Sequence, residues 1–140
     1  MKRILVLCTG NSCRSQIAEA YLREFAQGRA EVYSAGIETH GLNPRAVKTM
    51  AEDRVDISKQ TSTNVNAYDG ESFDFIITVC DHANENCPYF PGKSFRVHHN
   101  FPDPAKAIGT EEDIRLQFNA VRDEIKVFCK AFVDQYLKDE

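Results

Sequence analysis

Lys2-Arg3-Ile4-Leu5-Val6-Leu7, followed at once by Cys8-Thr9-Gly10-Asn11-Ser12-Cys13-Arg14-Ser15, sets the architecture of the whole chain. The apolar run Ile4 to Leu7 predicts a strand buried on both faces. Small and polar residues follow it. Then Ala18, Tyr21, Leu22 and Phe25 recur at helical spacing, so a helix is expected over Ser15 to Phe25. A buried strand, a tight loop and a helix make the opening of a strand–helix unit with a parallel partner.

Outward from this stretch the alternation continues. Glu31 to Ala35 predicts a second strand ended by Gly36, and Pro44 to Glu52 a second helix with proline in its first turn. Between Ser58 and Ala67 a short helix is expected from about Ser62. Phe73 to Val79, β-branched and aromatic, predicts the third strand, and Lys93 to His98 a weak fourth. The last helix is expected from about Glu111 to Leu137, with Ile114, Phe118, Val121, Ile125, Phe128 and Phe132 forming its buried stripe. This is an α/β pattern: a parallel sheet with helices on both faces. No repeat or Pro/Gly-rich linker interrupts it, so residues 1–140 read as a single domain.

The chain has 140 residues, 42% of them apolar, and a net charge of −4 from 17 basic and 21 acidic side chains. That balance predicts no broad basic surface, so no nucleic-acid partner is expected. No apolar run approaches a membrane span, so no membrane partner is expected either. The basic start Met1-Lys2-Arg3 leads into an apolar run too short for a secretion signal. A cytoplasmic protein is the expectation. Five cysteines, an odd number, argue against a disulfide framework and towards catalytic, redox or metal-binding roles.

Cys8 to Ser15 has the composition of an oxyanion cradle. Gly10 and Asn11 tolerate positive φ, and small residues let the backbone curl. Curled N–H groups of Thr9, Gly10, Asn11, Ser12 and Cys13 would form an anion nest, reinforced by the helix N-terminus. Arg14 can hold two oxygens through its planar fork. The same positive field favours a thiolate at Cys8, to which Ser15 can donate a hydrogen bond. Ligands of open parallel sheets bind at the carboxyl ends of strands. Cys80 lies just past the third strand as Cys8 lies just past the first, so the two can meet in one site.

Cys80 and Cys87 stand seven positions apart. On a regular helix that is about two turns, or about 10 Å. A disulfide needs Cα atoms within about 7 Å, so pairing requires the segment to unwind or loop out. On spacing alone they are either redox partners or two buried cysteines. Asp103, between Pro102 and Pro104, is either a general acid over the loop or a turn aspartate. Cys13 and Cys129 read as structural, as do His98 and His99; His82 lies near Cys80 but reads as a surface residue. Cys8 and Cys13 have a zinc-like spacing, but Cys80 and Cys87 do not.

The segment from Cys8 to Ser15 resembles the signature loop of the low-molecular-weight protein tyrosine phosphatases. Resemblance to the thioredoxin-coupled arsenate reductases, which share that fold, spreads over nearly the whole chain. It runs through Ser34-Ala35-Gly36, Asn43-Pro44, Gln60-Thr61-Ser62, Thr78-Val79-Cys80, Cys87-Pro88, Asp103-Pro104-Ala105, Gly109-Thr110-Glu111-Glu112 and Val121-Arg122-Asp123-Glu124-Ile125. The resemblance implies a four-stranded parallel sheet with arsenate held in the loop. It implies that Cys8 attacks arsenic, Asp103 protonates the departing oxygen, Cys80 attacks the Cys8 sulfur and Cys87 resolves the resulting disulfide. Thioredoxin would then reduce Cys80–Cys87. The family also has a potassium site, matched here by Asn11, Glu19, Ser34 and Thr61, although Thr63 stands where an Asp is common; no cofactor is required by this reading. A monomer is expected. The rival is a phosphatase needing only Cys8, Arg14 and Asp103. Ala105-Lys106-Ala107, with no aromatic residue beside the Asp-Pro, favours a small inorganic substrate instead.

Overall fold

The computed structural model describes residues 1–137. Residues 138–140, the last three of the expected single domain, lie outside the described residues. Four parallel strands, β1 (Lys2–Cys8), β2 (Ala30–Gly36), β3 (Phe75–Thr78) and β4 (Phe95–His98), form one sheet in the order β2-β1-β3-β4. Central β1 is covered on both faces, and Ile4, Leu5, Val6 and Leu7 are fully buried. That is why its sequence reads as a continuous apolar run. Edge strand β4 exposes Phe95 and Arg96 and half-buries only Val97, which accounts for its faint pattern.

Four helices follow: α1 (Arg14–Ala26), α2 (Pro44–Glu52), α3 (Asp81–Glu85) and α4 (Glu111–Tyr136). Helix α2 occupies the expected range, with the Asn43 side chain accepting from Arg45 N at 2.8 Å and Pro44 in the first turn. A reciprocal pair between Thr110 and Asp113 caps α4. Its buried stripe is Phe118, Val121, Ile125, Cys129, Phe132 and Val133, with Ile114 and Phe128 half-buried beside it. The two faces of the sheet are filled differently. Phe75 meets Phe132 and Tyr136 of α4 at 5.2 and 5.5 Å between ring centroids. On the opposite face Tyr33, level with Leu5, meets Tyr68 and Phe73 edge-on.

The expected helix near Ser62 is a correction. Residues 60–63 form neither helix nor strand, and only a 3-10 turn forms, at Val65–Tyr68. The competing interaction is visible: Gly36 N donates to Thr63 O at 2.8 Å, and Asn64 bridges to Gly36 in parallel. This segment spends its backbone groups on the end of β2 rather than on itself. Strand β3 is also shorter than Phe73 to Val79, because Phe73 turns away into the aromatic cluster with Tyr68 and Phe90.

Candidate active site

The sequence Cys8 to Cys13 curls between the end of β1 and the start of α1, and each carbonyl from Cys8 to Ser12 is drawn outward. Ile37 N donates to Cys8 O at 3.2 Å, Glu38 N to Thr9 O at 2.9 Å, His40 N to Gly10 O at 2.9 Å and Asn43 N to Ser12 O at 2.9 Å. Gln16 Nε2 donates to Asn11 O at 2.9 Å, and Ser62 Oγ to Gly10 O at 3.0 Å. The C=O and N–H of a trans peptide point opposite ways. The N–H groups of Thr9, Gly10, Asn11, Ser12 and Cys13 are therefore turned to the inside of the loop, as an anion nest requires. No side chain caps α1 and no acidic residue stands in its first turn, so its positive end faces the nest unneutralised.

Asn11 fixes the curl. Its φ is +48°, a left-handed conformation that asparagine tolerates better than most residues. Its side chain is fully buried and works at both ends: Nδ2 donates to Ser15 Oγ at 2.7 Å and Ser34 Oγ at 3.0 Å, while Oδ1 accepts from Thr63 N at 2.7 Å. Gly36 lets the end of β2 approach this loop. A Cβ on Gly36 would sit 2.8 Å from Asn11 N and 2.9 Å from Gly10 C, both backbone atoms that cannot swing aside. Gly36→Ala is expected to cost about 1–3 kcal/mol of stability. Through a loop displacement near 1 Å it should also cost about 10²-fold in turnover. Thermal unfolding and steady-state kinetics check this, and a wild-type midpoint with wild-type turnover would refute the close packing.

Cys8 is 3% exposed, and burial alone would raise its pKa. Four contacts outweigh burial and hold it well below the ordinary thiol range. The largest is a hydrogen bond from the Cys80 thiol; then come the Arg14 charge and the backbone and hydroxyl of Ser15. The same hydrogen bond, with burial, pushes Cys80 up, so the pair is one thiolate at Cys8 and one thiol at Cys80. Thr9 Oγ1 also reaches Cys80 Sγ at 3.2 Å. The meeting follows from the sheet: Leu7 and Thr78 are partners on β1 and β3, and Val79 N donates to Leu7 O at 3.0 Å just beyond them.

Arg14 is buried and spans to the loop after β4, donating from Nη1 to Phe101 O at 3.0 Å and standing 3.7 Å by Nη2 from Asp103 Oδ2. The other carboxylate oxygen of Asp103 accepts from Ala105 N at 3.0 Å. This loop is carried to the site because its backbone continues along β3 beyond β4: His99 N donates to Thr78 O and Phe101 N to Val79 O, both at 3.0 Å. Phe101, 1% exposed and packed on His99 and Phe128, anchors it.

The remaining cysteines lie apart. Cys13 is buried in the loop, and burial, with the negative charges of Cys8 and Asp103, pushes its thiol up to about 12. Cys129 is buried against Ala18 O, and burial raises its pKa too. Cys87 is half-buried just past the end of α3, where its sulfur accepts from Arg96 Nη1 at 3.0 Å. His98 ties Thr78 to Asp81, its Nδ1 2.7 Å from Thr78 Oγ1 and its Nε2 2.7 Å from Asp81 Oδ1. Of the potassium-associated residues, Ser34 Oγ donates to Glu19 Oε1 at 2.5 Å, Arg23 Nη2 stands 2.8 Å from Glu19 Oε2, and Thr61 O accepts from Gln16 Nε2 at 2.9 Å. Glu19, Ser34 and Thr61 line one cavity of about 300 Å³ together with Arg23 and Thr63, so the potassium-associated oxygens are brought together beside a guanidinium. No step below is routed through a cation.

Gln16 and the strap from Ile37 to Asn43 carry the outward hydrogen bonds, and neither stands out as a site feature in the sequence. The one available signal is a glutamine two residues past Arg14 at the start of the helix; its amide oxygen also accepts from Gln60 Nε2 at 2.7 Å.

A family model described as low molecular weight phosphotyrosine protein phosphatase matches residues 3–140. A protein of Halalkalibacterium halodurans named arsenate reductase is 48% identical over 133 residues, covering 95% of this chain and 96% of its own. One of the same name from Bacillus licheniformis is 49% identical over 133 residues, with the same coverage. A solved structure described as an arsenate reductase in oxidized state is 26% identical, with a TM-score of 0.81 over 96% of this chain and 98% of that one. No helix among the described residues is long and apolar enough to cross a membrane. With sequence likeness running from residue 3 to the last residue and structural likeness over the same sheet and loop, the chain belongs to the low molecular weight phosphotyrosine protein phosphatase family.

Proposed function

We propose that this chain is an arsenate reductase that works through the thiolate of Cys8 and a relay of Cys80 and Cys87. The observation that carries the reading is Cys80 set beside Cys8: they follow the paired ends of β3 and β1, Thr9 Oγ1 stands 3.2 Å from Cys80 Sγ, and each sulfur shifts the other's pKa, Cys8 down and Cys80 up. Hydrolysis of a phosphoester needs one sulfur and water. A second sulfur against the nucleophile serves a reaction that ends in a disulfide.

Arsenate enters the nest, its oxygens held by the inward N–H groups and the Arg14 fork. The Cys8 sulfur attacks arsenic, and the departing oxygen takes a proton from Asp103 and leaves as water. Cys80 loses its proton and attacks the Cys8 sulfur. The Cys8–Cys80 bond forms and the sulfur–arsenic bond breaks. Its electron pair stays on arsenic, which leaves as arsenite. Cys87 then attacks Cys80, frees Cys8 and leaves a Cys80–Cys87 disulfide for an external dithiol, for which thioredoxin is our proposal. Such a reductant fits a cytoplasmic monomer.

Arsenate-dependent oxidation of NADPH in the presence of thioredoxin and thioredoxin reductase tests the reading. Wild-type protein that consumes no NADPH yet hydrolyses an aryl phosphate would place it with the phosphatases. Asp103→Asn should slow the first turnover by about 10²–10⁴-fold, the range for loss of a general acid. An unchanged single-turnover rate at neutral pH would remove Asp103 from the reaction.

A further inference from the structure

We propose that Arg96 is a positioning residue for Cys87, holding its sulfur at the edge of β4 and stabilising the charge on that sulfur as it attacks the Cys8–Cys80 disulfide. The inference rests on the reductase reading, since a phosphatase has no use for Cys87. Arg96 Nη1 donates to Cys87 Sγ at 3.0 Å, and Arg96 Nη2 lies 3.4 Å from Pro88 O. Both arms of the fork therefore grip one short piece of chain, and Pro88 keeps that piece stiff. The other four cysteines are buried; Cys87 alone is half-buried, so it can change partner without opening the core.

The rest of β4 fits this role. Arg96 and His98, two positions apart, share one face of the strand. His98 pairs with Asp81 at the start of α3 and Arg96 with Cys87 just past its end. Between these two tethers a cavity of about 150 Å³ is lined by Ile76, Thr78, Asn84, Arg96, Val97 and His98. Helix α3 has only five residues, Asp81 to Glu85, and bridges that space with Ala83 as its buried foot. A helix so short has little stability of its own. When it unwinds, Arg96 keeps the Cys87 sulfur with a donor beside it.

The step balances without a co-reactant. Cys87, having lost its proton to solvent, attacks Cys80; the Cys80–Cys87 bond forms as the Cys8–Cys80 bond breaks, and the electron pair leaves on Cys8 as thiolate. A hydrogen bond from a cation to an anionic sulfur is worth about tenfold or more in rate if it is kept in the transition state.

The test compares wild-type protein with Arg96→Met and Arg96→Lys, both at an exposed position where folding should be unaffected. After one equivalent of arsenate, all three should release arsenite at the same initial rate, because Cys8 and Cys80 are untouched. By quenched mass mapping, the Cys8–Cys80 disulfide should then persist at least about tenfold longer in Arg96→Met, with partial rescue in Arg96→Lys. A lifetime unchanged in Arg96→Met would overturn the proposal. A second measurement reads the contact without turnover: the rate of Cys87 alkylation by iodoacetate relative to iodoacetamide, which rises with local positive charge. This ratio should fall in Arg96→Met and hold in Arg96→Lys, and an equal ratio in all three would also overturn the proposal. Wild-type protein releasing no arsenite would sink the reductase reading itself. With the alkylation ratio still falling, the contact would stand and its catalytic role would be overturned.

Discussion

Cys8→Ser should abolish arsenate turnover, with a loss on the order of 10⁴-fold or more, as expected when a nucleophile is removed and only binding and the oxyanion donors remain. The substitution is nearly isosteric, and the loop's outward hydrogen bonds do not involve the Cys8 side chain, so the fold should survive. What disappears is the charge. The Cys80 thiol, Arg14 and Ser15 together overcome the burial of Cys8 and keep it ionised, whereas a serine hydroxyl in the same contacts stays protonated. The sign of the shift gives a second readout. A thiol depressed below the ordinary value, about 8.5, remains thiolate as pH falls through that value and is protonated only lower down. Alkylation of Cys8 by iodoacetamide should therefore stay fast from pH 9 down to neutrality, on the order of the rate at high pH. A rate that fell off at the ordinary thiol pKa would contradict the contacts assigned to it, and a Cys8→Ser protein retaining a few per cent of turnover would remove Cys8 as nucleophile.

Much of this site is legible in the sequence because its chemistry is local. Cys8 to Ser15 is one continuous loop, and its strand-before, helix-after setting follows from Ile4 to Leu7 and from Ala18, Tyr21, Leu22 and Phe25. The nearness of Cys8 and Cys80 is legible too, since both follow strands that a parallel sheet ends on the same side. What holds the loop open is not legible. Four of the donors to its carbonyls are the backbone N–H groups of Ile37, Glu38, His40 and Asn43, beside the side chains of Gln16 and Ser62, and a backbone donor leaves no mark on residue identity. The non-helical run from Gln60 to Thr63 is hidden for a related reason. Its conformation is dictated by Gly36 N and Asn11 Oδ1, tertiary partners that outweigh any local helical tendency. Arg96 is an ordinary exposed edge-strand arginine until the structure lays it against Cys87.

Cys80→Ser and Cys87→Ser should both reduce steady-state arsenate turnover to background, yet fail at different sulfurs. In Cys80→Ser the loop, Arg14 and Asp103 remain, so Cys8 can still meet the anion. The serine hydroxyl cannot accept the disulfide bond, and no arsenite should be released by the normal route. This variant also removes the largest contact holding Cys8 ionised, so its Cys8 should alkylate more slowly at neutral pH than wild type, which separates it from a purely downstream block. Cys87→Ser leaves the Cys8–Cys80 contact whole, because Cys87 lies beyond α3, held by Arg96. It should release one arsenite per chain and stop with Cys8 and Cys80 joined. The proposed relay expects this order. Cys80 lies beside Cys8 at the paired ends of β3 and β1, whereas Cys87 is separated from Cys80 by the span of α3, about 10 Å if its helical rise continues to Cys87, against the roughly 7 Å between Cα atoms that a disulfide allows. On that proposal the first disulfide forms between neighbours, and only the second needs α3 to unwind. Mass mapping of Cys87→Ser after one equivalent of arsenate is the deciding measurement. Arsenite released with Cys8 and Cys80 both found as free thiols would overturn the relay, while slow hydrolysis of a small aryl phosphate should persist in both variants, since it needs only the loop and Asp103.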